Sequence, residues 1–443
     1  MKKIIALLLV IAFCMSLFSC NAIIDWTLNQ HAVALAAEKQ ATDYSDFKDE
    51  NYKAFIGKIQ DFSSRLTAEL TEKHGQNDNF VISPLSVYMA LSLACECAVG
   101  NTRQEILDAV GVTYEDVNKY TSKLYAYANA EYSQYNLIMD NRDVVAYQSI
   151  SNSIWLDDGV NFIQSGVNKL ADEYNCDVFQ ASFKSGEAQY LINSYIERKS
   201  HGIIDGNAKF SPETYFVLMN IYYLKEIWNE YGKNLSFASD PINFENTDGS
   251  TIKTSLLQGY YNNGKSYAGN GYSSFFTKTE HGFEIYFFLP SDEKRVSDIF
   301  TAENISTVLA MNDWGCVDHE NRQFHYTRVL FPEFKADFDG DISSVLSESF
   351  GVKKLFDPKE CDMTNITNDS IYCEGVIHKV SLNVDKKGIE GASVIYIPAA
   401  GAAGPPEYEE VYHDFIIAGA FGFVITDSYG TVVFSGVINT LNK

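Results

Sequence analysis

Basic residues are scarce in this chain: 34 Lys and Arg stand against 58 Asp and Glu over 443 residues, a formal charge of −24. That balance argues against a nucleic-acid binder, because a phosphate backbone would be repelled and not neutralised. Proline is scarce as well, with 9 residues, and a charged fraction of 21% against a hydrophobic fraction of 46% excludes a disordered or Pro-rich linker protein. No repeat and no low-complexity block is present. Catalytic and metal signatures are missing too. The 8 His residues form no His-Glu-x-x-His pair, and no Ser sits in a Gly-x-Ser-x-Gly elbow. His319 and His325 lie beside Asp318 and Glu320 in a polar stretch expected to be a solvated loop. Neither a metal nor a cofactor is expected, and length alone suggests about two to three domains of roughly 150 residues.

One apolar run stands out. Met1-Lys2-Lys3 followed by Ile4 to Phe13 has the form of a secretory signal and is too short for a finished membrane span. Leu17-Phe18-Ser19-Cys20 resembles the lipobox of bacterial lipoproteins, in which the Cys is lipidated and becomes the new N-terminus. An ordinary signal cut nearby would instead trim Cys20 or leave it free. The reading is therefore a signal peptide over 1–20, a flexible tether over 21–45 and one folded unit over 46–443, exported and held at the membrane by the lipid alone. Of the 8 Cys residues, Cys95, Cys97, Cys176, Cys316, Cys361 and Cys373 remain after processing, scattered through a chain large enough to fold unaided. Buried thiols are expected, although export permits disulfides. Cys95 and Cys97 do not form a ligand pair, since residues two apart on a helix do not share a face.

Phe55, Ile59, Phe62, Leu66 and Leu70 repeat at helical spacing up to His74-Gly75. Further helices are predicted over 83–98, 102–109, 163–174 and 188–199. Apolar strand runs are predicted over 216–224, 283–289, 329–334, 376–384, 421–425 and 432–438. Helices dominate the first half and strands the second, which indicates an α+β fold. Gly259 to Ser266 matches the P-loop pattern, but Tyr-Ala-Gly-Asn-Gly-Tyr follows where a phosphate-binding helix must start, so a hairpin loop is expected there.

From Ile389 the residues alternate: Ile389, Gly391, Ser393, Ile395 and Ile397 fall on one side, Glu390, Ala392, Val394 and Tyr396 on the other. This strand-competent segment runs directly into Pro398-Ala-Ala-Gly-Ala-Ala-Gly-Pro-Pro, a small-residue loop.

Asn79-Phe80-Val81-Ile82-Ser83-Pro84-Leu85-Ser86, leading to Gly100-Asn101-Thr102, resembles the signature region of the serpin superfamily. More blocks follow in the family's order: Ser151 to Trp155, Ile192 to Tyr195 with Gly202-Ile203-Ile204, Leu218 to Lys225 with Trp228, and Phe288-Leu289-Pro290. Leu330 to Phe334, His378-Lys379 and Val433 to Gly436 complete the set. The resemblance spans about residues 50 to 443. It implies a single domain of three sheets and eight or nine helices with an exposed reactive loop. It also implies inhibition of serine proteases by a suicide mechanism, in which the loop is cut and its N-terminal half inserts as a new strand in the central sheet. The protein is then no enzyme; its partner is a serine protease in covalent complex, and the protein itself is a monomer.

Residue by residue, the resemblance assigns Gly388, Ile389, Glu390, Gly391, Ala392, Ser393 and Val394 to the hinge. Lys386 and Ile389 depart from the family's Glu and Thr, but Ile389 is uncharged and β-branched, as suits a residue to be buried in a sheet. Ser83, Ser86, Asn220 and His378 are expected to meet under the central sheet as a gate, with Trp228 packed where the strand first inserts. Counting from Gly388 as the family does puts the scissile bond at Ala402-Ala403, and Ala399 to Ala403 suits the shallow pocket of elastase-like or subtilisin-like proteases. A shifted register would make Tyr408 the bait for a chymotrypsin-like enzyme. Two rival readings remain: a serpin fold that does not inhibit, and a surface lipoprotein that binds a ligand or glycan through some of its 28 Tyr and 29 Phe residues.

Overall fold

A computed structural model describes residues 27–36, 49–129, 147–228, 235–291, 294–391 and 408–441. Helix α1 (Glu50–His74) is capped by Asp49, whose carboxylate accepts the Asn51 amide. Its predicted apolar stripe is fully buried, with Ile59, Phe62, Leu66 and Leu70 at 0% exposure. Beside that stripe the hydroxyls of Ser63, Thr67 and Thr71 donate to carbonyls four residues back, and Thr67 also meets Ser435 at 2.7 Å. A polar seam inside the core is tolerated because each hydroxyl is paired. Helix α2 (Pro84–Cys97) starts where a helix should, with Ser83 as its N-cap and Pro84 in the first turn, where no amide partner is needed. Helices α3 (Gly100–Val110), α4 (Tyr114–Ala128), α5 (Gln164–Tyr174) and α6 (Glu187–Lys199) follow, close to the predicted ranges; α4 has no counterpart among them.

Three main sheets organise the rest, their strands numbered in chain order. The largest runs β1 (Ala32–Ala34), β4 (Cys176–Gln180), β3 (Tyr147–Leu156), β5 (Phe216–Ile227), β17 (Gly388–Gly391), β16 (Ile377–Val384) and β15 (Phe334–Asp341). The second runs β10 (Tyr267–Ala268), β11 (Tyr272–Lys278), β12 (Glu284–Pro290), β19 (Phe421–Thr426), β20 (Val432–Ile438) and β2 (Phe80–Ile82). In the third, β14 (Gln323–Pro332) has β13 (Val317–Asp318), β9 (Asn262–Asn263) and β8 (Leu256–Gln258) antiparallel to it and β18 (Glu409–Ile416) parallel to it. A ribbon of β6 (Ile242–Glu245) and β7 (Thr251–Thr254) completes the strands. The fold is α+β, as expected.

Three expectations need correction. The segment 21–45 is not a tether throughout: β1 pairs with β4, Leu28 is buried beside Trp155 and Phe179, and His31 Nδ1 lies 2.9 Å from the Gln180 carbonyl oxygen. The physical reason is that β4 would otherwise present an unpaired edge. His325 does not lie in a solvated loop. It sits on β14 at 3% exposure. The single strand predicted over 329–334 is two, β14 and β15, divided at Glu333. Ser266 is followed by β10 and not by a helix, so no phosphate cradle forms. All six described cysteines are free thiols, four of them buried.

Candidate functional site

Strand β5 is paired with β3 on one side over Phe216–Lys225. On the other side only its last four residues have a partner: Leu224 to Ile227 pair with β17, and β17 in turn pairs with Asn383 and Val384 of β16. Among the described residues no strand fills the space between Phe216–Tyr223 of β5 and Ile377–Leu382 of β16. What lies there is a cavity of about 260 Å³ lined by both strands and by the start of α2. Two facing strand edges with unpaired backbone groups form a receptor for one more strand.

Gly388–Gly391, which the resemblance assigns to the hinge, occupies the upper end of that space. Asp385 and Gly388 exchange backbone hydrogen bonds of 3.0 and 3.2 Å, and the Asp385 carboxylate accepts the Lys387 amide at 2.7 Å. This two-residue turn sends Gly388–Gly391 back between β16 and β5. Ile389 is 1% exposed. Gly388 is required by close approach, because a Cβ there would stand 1.8 Å from the Glu226 carbonyl oxygen. Lys386 departs from the family pattern at no structural cost, since the turn uses only its backbone: its amide donates to Glu333 at 2.9 Å and its carbonyl accepts from Leu235 at 2.7 Å.

Trp228, buried at 1% exposure, donates its indole N–H to the Asp385 carbonyl at 2.7 Å and so pins the turn. Below the hinge, the Glu226 carboxylate accepts from the Ile227 amide at 2.7 Å and lies 2.9 Å from His281 Nδ1. Burial raises the Glu226 pKa, opposed by His281. Sequence reasoning missed Asp385, Glu226, His281 and Glu333 as parts of the site. A signal for the first was present, because Asp385-Lys386-Lys387-Gly388 has Asp and Gly at the first and fourth positions of a common turn.

Ser83, Ser86, Asn220 and His378 all line the cavity. Three of them are linked: the Ser83 amide donates to His378 Nε2 at 3.0 Å, and the Ser86 amide donates to Ser83 Oγ at 3.3 Å. Asn220 does not join them. Its amide donates to Asn152 Oδ1 on β3 at 2.7 Å, and its own buried Oδ1 has no partner. An unpaired acceptor facing an open strand site is a group that an incoming backbone N–H would satisfy. Ala392, Ser393, Val394, Ala402, Ala403 and Cys20 lie outside the described residues. Tyr408, the alternative bait, opens the segment before β18, with its hydroxyl 2.9 Å from His319 Nδ1.

Burial lowers the His378 pKa to about 4. Because Nε2 accepts the Ser83 amide, proton uptake there would break that bond. Folding thus excludes a proton that the unfolded chain binds near pH 6.5, so this contribution to stability is complete above that value and is lost as pH falls towards 4. Urea unfolding between these limits should show a loss of about 3 kcal/mol from this ring. His378→Asn, which keeps an acceptor but does not titrate, should remove that part of the slope. An unchanged slope would contradict the assignment.

Comparison with known proteins agrees with this geometry. The family model Serpin (serine protease inhibitor) matches residues 57–440. The chain is 25% identical to Serpin-ZX of Arabidopsis thaliana over 402 residues, covering 85% of this chain and 95% of that one. The structure of tengpin, a thermophilic serpin, in the native state superposes with a TM-score of 0.64 at 23% identity, covering 92% of this chain and 97% of that one. Thyroxine-binding globulin in complex with thyroxine superposes with a TM-score of 0.66 at 18% identity, covering 88% and 98%.

Proposed function

Because the chain belongs to the serpin family, we propose that it is a suicide-substrate inhibitor of serine proteases, aimed at elastase-like or subtilisin-like enzymes. The observation that carries this reading is the open cleft between β5 and β16 with the hinge already zipped into its upper end. The protease serine attacks the Ala402 carbonyl carbon, the Ala402-Ala403 bond breaks, and Ala403 leaves as a new amino terminus while Ala402 stays esterified to the enzyme. Chain from Ala392 onward then extends β17 down the cleft. Each further residue gains partners on both sides without a new nucleation step, so insertion competes with attack of water on the acyl-enzyme. Ser83, Ser86 and His378 hold the lower cleft until the strand arrives, Asn220 lines it from β5, and Trp228 fixes the strand's point of departure.

The alternating sequence from Ile389 supports the inserting part, and the Ala and Gly run supports a shallow specificity pocket. Leu17-Phe18-Ser19-Cys20 supports export as a lipoprotein, with Cys20 lipidated and a monomeric inhibitor displayed at the cell surface. Incubation with a panel of serine proteases tests the function. An adduct surviving SDS, with a released peptide beginning at Ala403, is the expected result. A peptide beginning at Glu409 would overturn the register and the protease class, and cleavage without adduct for every protease would favour a ligand-binding role, as thyroxine-binding globulin binds thyroxine.

A further inference from the structure

At Lys225 the register of β5 with β3 ends, yet the strand runs on through Glu226 and Ile227, whose other edge carries Gly388 and Ile389. A turn of the second sheet takes the place of β3 there. Between β11 and β12, Thr279 and Phe283 close this turn with hydrogen bonds of 2.9 and 3.1 Å, and Gly282 supplies the left-handed φ of 87° that it requires. The Glu280 amide donates to the Ile227 carbonyl at 3.1 Å, and the next residue, His281, is buried against Glu226. The last two residues of β5 are thus held between the hinge and a turn from another sheet.

Glu226 makes that contact costly to lose. Its side chain is 0% exposed; Oε1 accepts the Ile227 amide and lies 2.9 Å from His281 Nδ1, whereas Oε2 is buried with no partner. Among the described residues His281 is the only side chain that bonds this carboxylate, and nearby Glu280 adds a like charge. A buried ion pair that loses one member leaves a charge in need of a proton or water, whereas loss of both members to apolar side chains costs little. Without His281 the Glu226 carboxylate has to turn outward. Because the same carboxylate holds the Ile227 amide, and Gly388 is packed on the Glu226 carbonyl, the strand end and the hinge would move with it.

We propose that His281 is a positioning residue for the hinge. Acting through Glu226, it fixes the end of β5 on which Gly388–Gly391 is seated, so that a turn of the second sheet sets how firmly the inserting strand is started in the first. Neither residue lines the cleft below. The consequence for inhibition rests on the inhibitory reading; the seating of the hinge does not.

Hydrogen exchange of the full-length protein tests it, with the amides of β3 and β4 as internal reference. In His281→Leu the amides of β17 should exchange about tenfold faster or more, while the reference keeps its protection. Glu226→Leu/His281→Leu, which leaves no carboxylate to strand, should return β17 to wild-type protection, and it carries the test should H281L fail to fold. Unchanged β17 protection in H281L overturns the proposal. So does an open β17 in the double variant, because a side chain that merely fills space is not rescued by removing its neighbour. With a protease that the wild type traps, H281L should yield more cleaved inhibitor per adduct, and the double variant should recover the wild-type ratio. A wild type that traps no protease would overturn the inhibitory reading, and the exchange result would still decide the seating of the hinge.

Discussion

Ile389→Arg is expected to convert the proposed inhibitor into a substrate. Ile389 is 1% exposed, paired with Glu226 on one side and with Val384 on the other, so a guanidinium there would be buried between two strands. Burying a charge without a designed partner costs several kcal/mol. A hinge carrying that charge stays out of the sheet in the intact protein, so insertion must bury it. Even about 3 kcal/mol placed on that step slows it more than a hundredfold relative to hydrolysis of the acyl-enzyme, whose chemistry the substitution does not touch. Titrating a susceptible protease should show the wild type inhibiting near one molecule per enzyme, whereas I389R should be consumed in large excess with little adduct. Equal stoichiometries would show that Ile389 need not remain buried.

Cutting the loop should raise thermal stability strongly. Before cleavage, Phe216–Tyr223 and Ile377–Leu382 face each other across a cavity. After it, a strand of about ten new backbone hydrogen bonds at roughly 1 kcal/mol each fills the space. For a chain of this size that gain corresponds to a melting temperature higher by about 10 °C or more. Calorimetry of the protein before and after nicking within 399–403 checks it. A nicked protein that melts at the same temperature, or lower, would mean that the loop stays outside the sheet.

Much of this was legible in the sequence because its signals are local. The stripe Phe55 to Leu70 fixed α1, Ser83-Pro84 fixed the start of α2, and the alternation from Ile389 marked a strand. Other features depend on what the chain meets far away. The residues around Leu28 carry no periodicity, and they fold because β4 has a free edge and Trp155 and Phe179 offer a recess. His325 reads as polar beside Asp318 and Glu320, yet pairing of β14 with β18 buries it. Asn220 is on the strand that the resemblance implies, but its partner is Asn152 across the sheet and not the His378 group, a choice that only the β3–β5 register decides. Glu226 and His281 are 55 residues apart and meet only when the turn after β11 folds over the end of β5.

The central claim is that the gap between β5 and β16 is a receptor for the protein's own loop. Hydrogen exchange at the cleft-facing amides of Phe216–Tyr223 and Ile377–Leu382, measured before and after cleavage within the loop, tests it most directly. These amides should exchange rapidly in the intact protein and become strongly protected once the loop is cut, while the β3-facing amides of β5 change little. Protection unchanged by cleavage, or already complete in the intact protein, would contradict the account.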